Sequence, residues 1–401
     1  MDPNPFFGLI PELPGIAIDR FDLRCRDAAV LFFLSHCHTD HMIGLAEEKP
    51  LNGPLYLSPV STVLISHRYP LLTENLRSLT LSDVLRTRVV PPDGSEPYEL
   101  SVRTLPADHC PGSVMFYLET ERVRILYTGD FRPTPETRSF IKLIQPNIVY
   151  LDTTFLNLEY AHFPTRDEST KKVTELCEEW LRADRKNLIS LWLPATYGSE
   201  DLVRLLSARL GERIHASENQ LSWYLYFPMM HDVVTDDTSV RVHVCRGTKR
   251  TSIQPLCSDP FSVHGTQDPR HVRTIRPSAL RWRGLKPGAN FWERQDNLYY
   301  VCYSSHASCN EIGDFVALLH PHVECVRSIA PDGPGGQVER DFLTNALTRN
   351  TSTGQVSIPS PSGFKLAGIQ YDKRRNISLT ESDESDDDPK PQIPKRLRSG
   401  D

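Results

Sequence analysis

The chain has 401 residues, 39% of them hydrophobic, and a formal net charge of −6, so it is long enough for two domains with a sizeable core and carries no overall basic signature. No stretch approaches the roughly 20 apolar residues of a spanning helix, and the N-terminus lacks the basic start and apolar run of a secretory signal. The nine cysteines are scattered from Cys25 to Cys325 without a dense framework, which fits reduced intracellular thiols.

Residues 1–15 hold four prolines and read as an irregular arm. From residue 16 to about 160 strands dominate, with a helix expected over 59–67. The apolar run Val30-Leu31-Phe32-Phe33-Leu34 reads as a buried strand, and His36-Cys37-His38-Thr39-Asp40-His41 follows it directly. Imidazoles and a carboxylate this dense at a strand mouth suit zinc or a similar divalent ion, which can generate a bound hydroxide near neutral pH. In an extended segment His36, His38 and Asp40 point to one side, and a turn at Asp40-His41 lets the last pair face a second ion. Further ligands are expected at later strand ends. His109 lies between the strands 99–105 and 113–118, and Asp130 ends the strand 123–127 as a bridging carboxylate. Asp19 and Asp152 add two acids, at the ion or behind its ligands, where carboxylates orient imidazoles.

Thr165-Arg166-Asp167-Glu168 is a capping box that opens a helix with Val173, Leu176, Cys177, Trp180 and Leu181 on one face. A strand at 188–193 and a helix at 199–210 continue a segment that alternates strand and helix. Within it His215, His243, Cys245 and Cys257 form H-x27-H-x-C-x11-C. Two imidazoles and two thiolates suit a closed structural zinc, although the spacing alone is a weak signal. Between residues 241 and 286 ten basic residues face only Asp259 and Asp268, so this stretch is +8 in an acidic chain. Arg270, Arg273, Arg276, Arg281, Arg283 and Lys286, with Phe261 and Trp282 interleaved, read as a track for DNA phosphates and unpaired bases. The bland alternative is a solvated face.

Residues 297–303 read as a strand returning to the first unit, Ser308-Cys309-Asn310-Glu311 caps a helix, and 322–329 is a last strand. Residues 350–401 are rich in serine, proline and charge, and cannot bury enough apolar surface to fold alone. Lys373-Arg374-Arg375 and Lys395-Arg396-Leu397-Arg398 read as a split nuclear import signal, against the alternative of a solvating tail. The organisation expected is a first unit at 1–160, an insertion at 161–296, a return at 297–345 and a disordered tail at 346–401.

Ile18-Asp19-Arg20-Phe21, the H-C-H-T-D-H run, Asp108-His109-Cys110-Pro111-Gly112-Ser113, Tyr127-Thr128-Gly129-Asp130-Phe131 and Leu151-Asp152-Thr153-Thr154-Phe155 occur in this order. From about residue 18 to 329 the chain resembles the metallo-β-lactamase fold nucleases that carry a β-CASP insertion, and among these the DNA end-processing branch. The resemblance implies an α+β (αββα) sandwich with an inserted α/β lobe. It implies one ion on His36, His38, His109 and Asp130, and another on Asp40, His41 and Asp130, helped by Asp152 or His306. Catalysis would fall to Asp40, His41, Asp130, Asp152 and His306. One or two catalytic zinc ions and one structural zinc are implied, with magnesium or manganese as the alternative at the second catalytic position. In the DNA end-processing members a zinc site matches His215, His243, Cys245 and Cys257. In other β-CASP nucleases the residue matching His243 is given a catalytic role, which zinc ligation would exclude here.

The function implied is a nuclear, metal-dependent DNA endonuclease with 5′-3′ exonuclease activity as a further capacity. It would open hairpins and trim overhangs and single strand-duplex junctions during end joining, with a DNA-dependent protein kinase or end-joining factors as partners and no membrane. Relatives that act mainly as 5′ exonucleases carry a lysine after the glycine where this chain has Gly198-Ser199, which favours cutting within a strand. The alternatives are a 5′ exonuclease of crosslink repair or an RNA-processing relative. A small-molecule metallohydrolase would leave the insertion and its basic stretch without use, and a dead scaffold would be expected to lose a ligand.

Overall fold

The computed structural model describes residues 6–47, 50–81, 83–193, 197–245, 269–319 and 322–329. Cys257, the basic residues Arg246, Lys249 and Arg250, and the tail lie outside the described residues. The strands β1 (Gly15–Ile18), β2 (Ala29–Leu34), β3 (Leu55–Leu57) and β4 (Leu76–Ser78) form a parallel sheet in that order, with α1 (Leu23–Ala28) and α2 (Pro59–Arg68) as crossovers. β5 (Val84–Val89), β6 (Tyr98–Pro106), β7 (Val114–Glu119) and β8 (Arg124–Tyr127) run antiparallel in a second sheet, followed by α3 (Pro135–Ile141) and a parallel neighbour, β9 (Ile148–Leu151).

The insertion then begins with α4 (Arg166–Ala183) and builds a third sheet from β10 (Leu188–Leu191), β11 (Ile214–His215), β12 (Val234–Thr235), β13 (Val242–His243), β14 (Val272–Ser278), β15 (Trp292–Gln295) and β16 (Leu298–Cys302), with α5 (Glu200–Leu210) and α6 (Glu218–Tyr224) between strands. α7 (Cys309–Leu319) and β17 (Cys325–Ser328) return to the second sheet, where β17 lies parallel to β9. Among the described residues no helix is long and apolar enough to cross a membrane.

Period-two alternation assigns each strand residue to a layer. On β2, Leu31 and Phe33 face the second sheet, where they join Phe116, Leu118, Ile125 and Tyr127 in a core between the sheets, while Phe32 and Leu34 face the other way. On β7, Met115 and Tyr117 point out beneath Ile141, Phe315 and Val316 of α3 and α7. This is the helix–sheet–sheet–helix sandwich expected from the sequence. The outer core of the first sheet continues into the insertion, where Val173, Leu176, Cys177 and Leu181 of α4 pack against β10 and β16. The capping box is formed in both directions: the Thr165 N–H donates to Glu168 Oε2 at 2.8 Å and the Glu168 N–H to Thr165 Oγ1 at 3.1 Å.

One expectation changes. The strand expected at 297–303 is β16, which hydrogen-bonds to β14 and β15 in the third sheet rather than re-entering the first unit. Its apolar run fits a buried strand of either sheet, and nothing in a run of apolar residues names the neighbour. The arm, despite its prolines, buries Ile10 and Leu13 in the core between the sheets.

Phe116 sits at the centre of that core with 0% exposure, edge-on to Phe33 at 5.1 Å. Phe116→Ala is expected to destabilise the sandwich by about 3–5 kcal/mol. A chemical-denaturation midpoint close to that of the parent would contradict this packing.

Candidate metal centre

The site gathers at the ends of strands from the first two sheets. Ser35, just after β2, donates its N–H to Asp19 Oδ1 at 2.7 Å and its hydroxyl to Asp19 Oδ2 at 2.6 Å. Asp19 adopts a left-handed backbone (φ 55°), accepts a third hydrogen bond from Tyr127 at 3.0 Å, and lies 2.9 Å from His41 Nδ1. It therefore stands behind the cluster as a hub, one of the two placements expected for it. The loop that carries His36 to His41 is pinned at its far end, where the Phe21 N–H donates to Ile43 O at 2.7 Å and Arg26 to Gly44 O at 2.6 Å.

The proton on each imidazole follows from what lies behind it. The Ser35 hydroxyl gives its hydrogen to Asp19, so at 2.9 Å it accepts the Nδ1–H of His36, leaving the His36 Nε2 lone pair free. His109 Nδ1 donates to Ser305 O at 3.2 Å, and His38 Nε2 donates to Tyr197 O at 3.0 Å. The three remaining nitrogens meet: His36 Nε2 and His109 Nε2 lie 2.9 and 3.0 Å from His38 Nδ1. With the ring hydrogens committed elsewhere, these are lone pairs facing lone pairs, an arrangement that a cation between them stabilises. Donors bound to one ion at about 2.1 Å lie roughly 3.0–3.4 Å apart, so the spacing fits a first-row divalent metal. Burial, reinforced by the neighbouring imidazoles, holds His36 and His109 well below the usual histidine range, which keeps both neutral as ligands.

Asp130 lies between three groups. Its Oδ2 is 3.6 Å from His36 Nε2 and 3.5 Å from His109 Nε2, and its Oδ1 is 3.2 Å from His41 Nε2. His41 Nε2 is also 3.6 Å from Asp40 Oδ2, so Asp40, His41 and Asp130 form a second possible ion site that shares Asp130 with the first. A third grouping joins Asp130 to His306 and Asp152, with His306 Nε2 3.8 Å from Asp130 Oδ2 and His306 Nδ1 2.9 Å from Asp152 Oδ2. Burial opposes charge on His41, but the surrounding carboxylates of Asp130, Asp40 and Asp19 outweigh it and hold the ring well above its ordinary value. On His306 the same contest, led on the acidic side by Asp152, pushes the pKa up to about 9. Asp40 alone turns its carboxylate largely to solvent, with 67% of the side chain exposed.

All the ligands expected from the sequence for the catalytic centre thus come together. Ser35, Tyr127, Tyr197 and Ser305 were not expected. All four act through a hydroxyl or a backbone carbonyl, and Tyr197 in addition comes from the insertion, so ligand spacing carries no trace of them.

The second cluster lies in the third sheet. His215 on β11 and His243 on β13 are paired in register, with Nδ1 atoms 3.1 Å apart, and Cys245 Sγ is 3.7 Å from His243 Nδ1. His243 donates Nε2–H to Val240 O at 2.8 Å, so its Nδ1 lone pair faces the cluster. The three donors are buried, and the set suits a tetrahedral zinc whose fourth ligand, Cys257 by expectation, falls outside the described residues.

The basic stretch divides. Arg273 is only 5% exposed, sandwiched between Trp180 and Tyr299 and donating to Leu176 O at 2.7 Å, so it cannot belong to a phosphate track. Trp282 is half-buried in an apolar cluster with Phe155, Tyr160 and Phe163. Arg276 lies over Trp192, Arg281 over Tyr300 with Glu293 as ion partner, and Arg283 donates to Tyr160 beside Glu159. Arg270 and Lys286 are exposed. A run of charge in the sequence could not say which arginines stack inward.

A two-sheet sandwich flanked by helices, with histidines and carboxylates converging at strand ends, is the metallo-β-lactamase arrangement. Residues 228–326 match the family described as "DNA repair metallo-beta-lactamase". The chain is 31% identical to protein artemis of Gallus gallus over 94% of its own length and 54% of that protein, and 31% identical to protein artemis of Homo sapiens over 98% of its length and 58% of that protein. It is also 30% identical to the 5′ exonuclease Apollo of Mus musculus, covering 92% of this chain and 63% of Apollo. Over nearly its whole length the chain is thus similar to the metallo-β-lactamase DNA nucleases Artemis and Apollo, and it carries the DNA repair metallo-β-lactamase segment. It spans little more than half the length of the Artemis proteins it matches.

Removing a thiolate from the second cluster gives a direct check. Cys245→Ala is expected to lower the zinc content of purified protein by about one equivalent and to shift the unfolding midpoint down, because a structural zinc contributes folding free energy. Unchanged zinc content would take the metal out of this cluster.

Proposed function

We propose that this chain is a metal-dependent DNA nuclease that cuts within strands near ends and at hairpins during the joining of broken DNA. The observation that carries the reading is the convergence of the His36, His38 and His109 lone pairs on a point flanked by Asp130, with Asp130 shared by a second, carboxylate-rich group. The nitrogen-rich site suits zinc, and the oxygen donors of Asp40, Asp130 and Asp152 suit zinc or a harder ion such as magnesium or manganese. Bound ions would supply Lewis acidity and a hydroxide at neutral pH.

The protein's own groups do the rest. Asp40, solvent-facing beside His41, is placed to orient an attacking water and take its proton. Asp152 grips His306 through Nδ1, which aims Nε2 at Asp130. Arg270, Arg276, Arg281, Arg283 and Lys286 are the groups left to meet phosphates. Nuclear location and contact with a DNA-dependent protein kinase or end-joining factors complete the proposal, supported by the basic clusters of the tail and by likeness to Artemis.

A second reading, a 5′ exonuclease, is supported by likeness to the 5′ exonuclease Apollo. Against it stands Ser199, 4% exposed at the N-cap of α5, where exonucleolytic relatives place a lysine. The test is digestion of a 5′-hydroxyl hairpin, a 5′-phosphorylated single strand and an RNA by purified protein. Hairpin cleavage independent of a 5′-phosphate is expected, and an absolute need for that phosphate would favour the exonuclease. Asp40→Asn is expected to cut turnover about a hundredfold or more with the fold retained, whereas near-normal turnover at matched metal content would sink the role given to Asp40. Ser199→Lys is expected to raise the ratio of single-strand 5′-phosphate digestion to hairpin opening, and an unchanged ratio would remove Ser199 as a determinant.

A further inference from the structure

We infer that the Tyr197–Gly198 segment of the insertion is a positioning element for the metal centre, which fixes the ring of His38 through a backbone carbonyl and the loop of His109 through a side chain. The inference rests on the metal reading of the site. His36 is held by Ser35 and His109 by Ser305, but His38 gives its Nε2–H to Tyr197 O at 3.0 Å, across to the segment that follows β10 of the third sheet. The Tyr197 ring stands edge-on to His38 with centroids 5.3 Å apart, and its hydroxyl donates to the carbonyl of Pro111, two residues beyond His109. Tyr197 is itself held in place, 4% exposed and stacked on Phe227 at 5.8 Å with a 13° interplanar angle.

Gly198 completes the contact. Its φ of +111° is unfavourable for a side chain, and a Cβ there would lie 3.3 Å from His38 Nε2 and 3.7 Å from Cys110 Cβ. Its N–H donates to Glu200 Oε2 at 2.8 Å, which anchors the turn to the first residue of α5. The chemistry explains why this matters. A neutral imidazole carries one ring hydrogen, and an acceptor behind Nε2 keeps it there, leaving Nδ1 as the ligating lone pair. Without that carbonyl the hydrogen is free to sit on Nδ1, the atom that faces His36 and His109. The first ion site is therefore completed only when the insertion is docked, and its affinity reports that docking.

The test uses the whole chain as wild type, Gly198→Ala and Tyr197→Phe. Zinc affinity is measured by chelator competition, and the geometry of the site by the absorption spectrum of the cobalt(II)-substituted protein. Gly198→Ala is expected to weaken zinc binding at the histidine site about 10–100-fold and to alter the cobalt bands of that site, while the thiolate-to-cobalt band of the Cys245 cluster stays as in wild type. Tyr197→Phe is expected to give a smaller loss of the same kind, and it carries the test by itself if Gly198→Ala does not fold. Metal-free Tyr197→Phe should unfold at nearly the wild-type denaturant concentration, and metal-free Gly198→Ala at a lower one, because its backbone disfavours a side chain. Wild-type affinity and spectrum in the variants would overturn the inference, as would an affinity loss matched by an equal loss of metal-free stability with unchanged cobalt bands. A wild-type protein that binds no metal at the histidines would remove the metal reading and this inference together, a result easily told from variants that alone behave as wild type.

Discussion

Lone pairs of three imidazoles held about 3 Å apart repel one another, and much of the architecture serves to keep them there. Each ring would relieve the repulsion by turning, and each is prevented from turning by an acceptor behind it: the Ser35 hydroxyl, the Tyr197 carbonyl and the Ser305 carbonyl. Those acceptors come from three different parts of the chain, and only the stacking of the sheets brings them together. The carboxylate of Asp19 secures Ser35 and faces the Nδ1 of His41, so one side chain just after β1 serves both ion sites. Preorganisation of this kind is what allows a weakly donating ring to hold a metal in a fixed geometry.

The sequence disclosed the ligands more fully than their supports. His36, His38, Asp40, His41, His109 and Asp130 stood out because clustered imidazoles and acids at strand ends have few structural uses. The sandwich was legible through the family resemblance that the ordered motifs carry, since β2 and β7 are continuous apolar runs that name no layer, and the capping box at Thr165 marked the start of α4. Supports that act through carbonyls were invisible, since every residue has one. Strand partners were equally hidden: β16 reads as a buried strand whether it joins the second sheet or the third, and the structure gives it to the third. The basic stretch misled at Arg273 because net charge counts side chains without showing which of them lie flat against tryptophan and tyrosine.

The insertion does more than extend the molecule. Its third sheet brings His215 and His243 together on neighbouring strands, and its Tyr197 reaches His38 of the histidine cluster. The apolar cluster that covers the outer face of the first sheet runs without a break into the insertion. The two units are thereby coupled through packing and through hydrogen bonds at the clustered histidines.

The parallel pairing of β17 with β9 sets the order in which the chain can mature. Leu151 closes β9, and its neighbour strand starts only at Cys325, with the whole insertion in between. Closing a loop of about 170 residues costs about 4–5 kcal/mol in chain entropy before the strand pairing returns anything. Until the insertion has collapsed and shortened that gap, β9 remains an open edge on a nearly complete sheet, the kind of edge that recruits strands from other molecules. During synthesis the residues up to about 150 therefore emerge as a sandwich with one side unsealed, and the strand that seals it follows only after the whole insertion.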